Sequence, residues 1–149
     1  MNNHPLIDKV LKYFRGCNTG DVELMLSTFA EDVTAYSIDI PPVHGSENLA
    51  QHWKRVYDTI KARFTVDHAI VVGQEVVIEW SMSWTPPEGS TLDFTRGTEW
   101  YLFKNEKIAE IRQYHLNRYL GPDQIYELQG FPYLDRGYPG RDDFDSHLP

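Results

Sequence analysis

The apolar pattern of this chain changes period at Arg63, and that change does most to limit what it can fold into. Upstream, Ile7, Val10, Leu11 and Phe14 recur at helical spacing, as do Val22, Met25, Leu26 and Phe29, and then Leu49, Trp53, Val56, Tyr57 and Ile60. Asn18-Thr19-Gly20 ends the first helix, Asp21 suits the positive start of the second, and Ser46-Glu47 opens the third. Val33 to Ile38 reads as a short strand ended by Pro41-Pro42. Downstream, Phe64, Val66, His68, Ile70 and Val72 alternate with polar or small residues, which makes His68 a core residue on an apolar face. Val76, Ile78, Trp80, Met82 and Trp84 repeat the alternation up to a turn at Pro86-Pro87-Glu88-Gly89. Two more strands, Leu92 to Phe103 and Lys107 to Tyr119, are joined through Asn105-Glu106. Helices first and antiparallel strands after predict an α+β domain with the helices on one face of a curved sheet.

The 149 residues, 41% of them hydrophobic, suffice for one core. A net charge of −8 and a pI near 5.1 argue against nucleic-acid or anionic-membrane partners. No apolar run reaches transmembrane length, and the charged start (His4, Asp8, Lys9, Lys12) is unlike a signal peptide. The lone Cys17 cannot form an internal disulfide and reads as a packing residue, so a cytoplasmic location is expected. The 6 histidines lack metal-ligand spacing, so no metal is expected.

The chain divides into a domain over 1–119 and an arm over 120–149. The arm's glycines and prolines forbid long regular elements, yet Tyr126, Phe131, Tyr133, Tyr138 and Phe144 are too aromatic for disorder. It should be ordered, with a short helix near Asp123–Leu128, and should lie over the domain, the pocket mouth or a partner subunit. Asp142, Asp143 and Asp145 read as a solvated cluster.

Tyr13-Phe14-Arg15-Gly16-Cys17-Asn18-Thr19-Gly20-Asp21, followed by Phe29-Ala30-Glu31-Asp32-Val33-Thr34, resembles the nuclear transport factor 2 family. That family includes ketosteroid isomerase, limonene epoxide hydrolase and the SnoaL-like polyketide cyclases. The resemblance spans roughly residues 6–118 and implies a cone-shaped barrel, with three N-terminal helices on a curved, mostly antiparallel sheet around one deep pocket. Arg96-Gly97-Thr98-Glu99-Trp100 and Gly130-Phe131-Pro132-Tyr133 extend it to a SnoaL-like subgroup without an assigned reaction.

Tyr36 and Ile40-Pro41-Pro42-Val43-His44-Gly45 look like a strand and loop of the epoxide hydrolase, and Ile108 to Tyr114 like its last strand. Its Asp-Arg-Asp set would fall on Glu79, Ser81 and Gln113, so that water-activating mechanism is absent. The same match implies that odd-numbered positions face inward, bringing Glu79, Gln113 and His115 into the pocket. Periodicity alone instead puts Glu79 and Glu110 in solvent. In ketosteroid isomerase an oxyanion-hole tyrosine precedes an Asn-x-Gly-Asp turn, which is the position of Tyr13, and Glu99 matches its neutral acid. The isomerase's general base falls on Ser37, so Asp39, His44 or His115 would have to replace it.

Each assignment has a structural counterpart. Tyr13 can be a packing residue, Glu99 can pair with Arg112 or Arg96, His115 can be structural, and His44 can sit on the pocket rim. The resemblance implies cofactor-free proton transfer on a small apolar carbonyl or hydroxyl compound, of lyase or isomerase type. In that scheme His115 or Asp39 moves the proton, Tyr13 and Glu99 hold the oxygen, and Tyr36, His44, Trp53, Glu79 and Gln113 bind the substrate. The alternative is a non-catalytic ligand-binding or assembly domain. With odd positions inward, Trp80, Met82 and Trp84 form an outer stripe that a homodimer would cover.

Overall fold

A computed structural model describes residues 3–115, 127–140 and 142–148. Helix α1, Pro5–Thr19, begins where the His4 ring accepts from the Leu6 N–H at 3.1 Å with proline in the first turn, and ends at Gly20 with φ 66°. Asp21 caps α2, Val22–Leu26, through the Leu24 N–H at 2.9 Å. That helix is shorter than its apolar spacing suggests, because Phe29 already opens β1, Phe29–Ser37. After β2, Val43–His44, comes α3, Ser46–Ile60, whose N-cap is Gly45 rather than Ser46. Asn18 ties the end of α1 to the sheet through a paired contact with the Phe64 backbone, donating at 2.9 Å and accepting at 2.7 Å.

The strands β3, Arg63–Val72, β4, Glu75–Ser83, β5, Phe94–Lys104, and β6, Lys107–His115, complete one open sheet in the order β2-β1-β6-β5-β4-β3. The β1–β6 pair is parallel and the other pairs are antiparallel. Asn105 and Glu106, at φ 49° and 61°, form the tight turn between β5 and β6, as a two-residue hairpin loop requires. The expected continuation of β6 to Tyr119 and the short helix near Asp123 lie outside the described residues.

All three helices pack on one face of the sheet around Val10, Phe14, Met25, Leu49, Ile78 and Tyr101. Cross-strand register shows which residues share that inner face: Ile78, Glu99, Gln113 and Ser37 form one row, and Trp80, Gly97 and His115 the next. From Ile111 to His115 the odd positions of β6 do face inward, whereas a bulge makes the even-numbered Ile108 the core residue at the start of the strand. In β4 the odd positions do not, which corrects the expectation for Glu79: it is exposed on the outer face, and Trp80 is 1% exposed in the core. The outer stripe proposed for Trp80, Met82 and Trp84 is therefore an inner one. Burial of two indoles outweighs a resemblance in register. Gly97 is what lets Trp80 lie flat across β5, because a Cβ there would run into the indole Cζ2 and Cε2.

A bulge between Val66 and His68 overturns a second expectation. The extra residue, Asp67, shifts the phase of β3, so Ala69 faces the core while His68, Ile70 and Val72 are exposed. The described part of the arm packs on the outer face. Leu128 and Phe131 bury against Ile38 and Tyr36, Tyr138 receives a hydrogen bond from Arg112 at 3.1 Å, and Arg136 grips Glu110 at 2.9 and 3.1 Å.

Candidate functional site

The inner face carries two polar groupings. The first stands where β1 runs out and β6 ends. Ser37 Oγ donates to Asp39 Oδ1 at 2.6 Å, and His115 Nε2 stands 3.5 Å from Asp39 Oδ2. The His115 contact, opposed by burial and aided by Ser37, holds the Asp39 carboxyl below its ordinary range. An ionised Asp39 places the histidine hydrogen on Nε2 and leaves Nδ1 as an acceptor. That Nδ1 is sealed from water and has no hydrogen-bond partner among the described residues.

The second grouping lies deeper, between α1, α3 and β5. Glu99 is 3% exposed and Tyr13 2%, although one is a carboxylic acid and the other a phenol. Among the described residues no basic side chain pairs with Glu99. The Arg112 that could have done so sits on the opposite face, with its guanidinium over Trp100 and Phe131. Burial therefore pushes the Glu99 carboxyl up to about 7, against the opposing hydrogen bond donated by the Tyr101 hydroxyl. Burial also raises the Tyr13 hydroxyl well above its usual range, and Cys17 and Glu99 add to the rise while the Trp53 indole N–H opposes it. An unpaired buried polar group costs about 1–3 kcal/mol. Among the described residues, Trp53 Nε1, Trp80 Nε1 and His115 Nδ1 in the interior nevertheless lack a hydrogen-bond partner, as does Arg112 Nε on the opposite face.

Space in the interior is small. One cavity of about 20 Å³ is bordered by Tyr13, Ser37, Trp53 and Gln113, among others. A second, of about 10 Å³, lies among Tyr13, Cys17, Trp53 and Glu99. Each has room for about one water molecule. An open cleft of about 720 Å³ also exists, but most of its lining (Asp67, Glu79, Arg96, Thr98 and Tyr114) comes from the outer face.

Of the residues expected at the site, the inner face brings together Tyr13, Asp39, Trp53, Glu99, Gln113 and His115. Tyr36 borders the 20 Å³ cavity, but its ring packs edge-on against Phe131 of the arm at 5.2 Å. His44 is exposed on β2, 3.2 Å from Thr34 Oγ1, and Glu79 is outside. Two partners escaped the sequence reading, Ser37 beside Asp39 and Tyr101 beside Glu99. Each lies two residues along a strand-like stretch from the acid it serves, which is a signal that period-two spacing carries.

The sequence profile of the SnoaL-like domain matches residues 10–111. The chain belongs to the SnoaL-like domain family. No curated protein matches it. Among solved structures, this SnoaL-like chain is similar to a protein of unknown function with a cystatin-like fold from Methylobium petroleophilum PM1. The two are 22% identical over 94% of each chain, with a TM-score of 0.80. A Mycobacterium tuberculosis epoxide hydrolase of the limonene epoxide hydrolase type is 12% identical, covering 75% of this chain and 83% of its own, with a TM-score of 0.66. TerC, co-crystallized with polyporic acid, is 17% identical over 76% of this chain and 92% of its own, also with a TM-score of 0.66. At these identities the likeness is one of fold. Among the described residues no helix is long and apolar enough to cross a membrane, and no cluster of three or more His, Cys, Asp or Glu residues could hold a metal ion.

Proposed function

We propose that this SnoaL-like chain is a small-molecule enzyme that transfers protons on a neutral carbonyl or hydroxyl compound, with isomerisation, dehydration or cyclisation as the class of outcome. The observation that carries the reading is His115. One of its ring nitrogens faces an ionised carboxylate, and the other is buried without a protein partner. A base needs that arrangement: Asp39 holds the ring through Nε2, and Nδ1 has a lone pair to offer. The proton leaves a carbon next to the carbonyl and moves to Nδ1, and its electron pair passes to the oxygen. Tyr13 and the protonated Glu99 donate to that oxygen as charge develops. Return of the proton from His115 to another carbon gives an isomer; its delivery to a hydroxyl on the next carbon, as the enolate's electron pair forms the double bond and the hydroxyl leaves as water, gives a dehydrated product.

TerC with polyporic acid and the epoxide hydrolase support small-molecule chemistry for this fold, while the missing Asp-Arg-Asp set speaks against epoxide opening here. The water-sized interior favours a second reading, a non-catalytic binding or assembly domain. Deuterium incorporation from D₂O into a panel of cyclic ketones headed by 2-tetralone separates the two. Exchange above the buffer rate supports the enzyme, and none across the panel supports the binder. For the homodimer we assign the uncovered half of the outer face, where Ile70, Val72 and Trp100 are exposed.

A further inference from the structure

Tyr13 and Trp53 are the described residues that the two interior cavities have in common, so the indole of Trp53 is part of the wall between them. No hydrogen bond of good geometry anchors that indole. It packs edge-on against Phe64 at 5.5 Å and His52 at 5.0 Å, and its Nε1 is sealed from water, turned toward the Tyr13 hydroxyl without meeting it at hydrogen-bond geometry. An indole nitrogen can only donate. The phenol of Tyr13 borders the same two cavities, and the Glu99 carboxyl borders the smaller one. A hole the size of one oxygen atom, ringed by donors, calls for an acceptor.

Resting on the proton-transfer reading above, we infer that Trp53 Nε1–H donates a hydrogen bond to the substrate's oxygen beside the Tyr13 hydroxyl, and that this oxygen belongs to the ketone or enolate of an uncharged ring compound. A hydroxyl could also accept there, but its own hydrogen would then face further donors. A carboxylate ligand would meet Asp39 and Glu99 across the same interior. Trp53 is thus a substrate-binding residue through its nitrogen, beyond the apolar area of its ring. Binding seats the oxygen where a single water fits.

The test uses the full chain labelled with ¹⁵N, in which Trp53 supplies one of 4 indole N–H resonances. The probes are 2-tetralone and tetralin, which share a ring frame and differ in the carbonyl oxygen. The Trp53 resonance should move downfield and saturate with 2-tetralone and stay in place with tetralin. Trp53→Phe, which keeps an aromatic wall, should bind 2-tetralone about fivefold to tenfold more weakly and tetralin within about twofold of wild type. A resonance that 2-tetralone leaves in place marks the cavity as a seat for an ordered water only and overturns the inference. Equal 2-tetralone affinity in Trp53→Phe, or no 2-tetralone binding at its solubility limit, also overturns it. The resonance is read on wild type, so a variant that fails to fold does not protect the claim. Binding is measured without turnover. An unmoved Trp53 in a protein that still exchanges 2-tetralone defeats this inference alone, and a moved Trp53 without exchange defeats only the enzyme reading.

Discussion

The two faces of β6 treat polar groups in opposite ways. On the outer face Glu110 takes Arg136 at 2.9 Å, and Arg112 Nε lies 3.5 Å from the same carboxylate while its plane covers Trp100 and Phe131. Charges there are paired and padded by aromatics, with arm residues among the partners, and Arg112 Nε, though it makes no hydrogen bond, still has the Glu110 carboxylate beside it. On the inner face the neighbouring residues Gln113 and His115 share the interior with a glutamic acid that has no cation and with three ring nitrogens that have no partner. A sheet kept only for stability would not leave its better-buried side the less satisfied one, because unpaired polar groups cost most where water is absent. The inner face carries the main core as well, and in the reading proposed above its unpaired polar groups are kept for a ligand.

Substitutions can break that contrast. His115→Ala should lower ketone exchange by about a thousandfold, as expected for a general base, while the melting temperature changes little. A large loss of stability with unchanged exchange would return His115 to a structural role. Tyr13→Phe should cost about a hundredfold in exchange if its hydroxyl meets the developing oxyanion, and an unchanged rate would make it a packing tyrosine.

The pH dependence of stability sharpens the same contrast. Burial raises folded Glu99 to about 7 from the ordinary 4.5 of a free glutamic acid, so the native state holds its proton more tightly than the unfolded chain does. Its contribution is therefore fully present below about pH 4.5 and declines as the pH rises through 7. Asp39, whose carboxyl is shifted down, acts in the opposite sense: its contribution is present at neutral pH and is lost in acid. Chemical denaturation from pH 4.5 to 8 should show a steeper decline for wild type than for Glu99→Gln, and parallel curves would remove Glu99 from the account. On the outer face, Glu110→Ala should cost about 1–2 kcal/mol of stability by leaving Arg112 and Arg136 without their carboxylate, and should leave exchange unchanged. The smallest effect is expected for Val72→Glu, on a side chain 76% exposed: sedimentation should show more monomer, with no change in the fold.

Much of the fold was legible because it rests on local rules. The helical stripes, the Gly20 cap and the Asn105-Glu106 turn all follow from side-chain period and from which residues tolerate positive φ. The sequence reading failed where one residue changes the phase of a strand. Asp67 inserts into β3 and turns His68, Ile70 and Val72 outward, and nothing in the alternation of apolar residues marks that insertion. Glu79 failed for a different reason: register borrowed from a relative conflicted with the plain apolar pattern of β4, and the pattern prevailed. Within the site, Tyr13 and Glu99 could be named from the resemblance to ketosteroid isomerase, and His115 from the resemblance to limonene epoxide hydrolase. The Asp39 contact could not, since it depends on where a loop after β1 turns back toward the end of β6.

The central claim is that the interior keeps an acid uncharged and donors open for a ligand's oxygen. A ¹³C carboxyl-resolved titration of Glu99, with and without 2-tetralone, tests it most directly. The account predicts a midpoint near 7 in the free protein that moves higher when the ketone binds, because a ligand that accepts from the protonated carboxyl stabilises that form. A midpoint near 4.5 that the ketone leaves unchanged would contradict it and would make Glu99 an ordinary carboxylate.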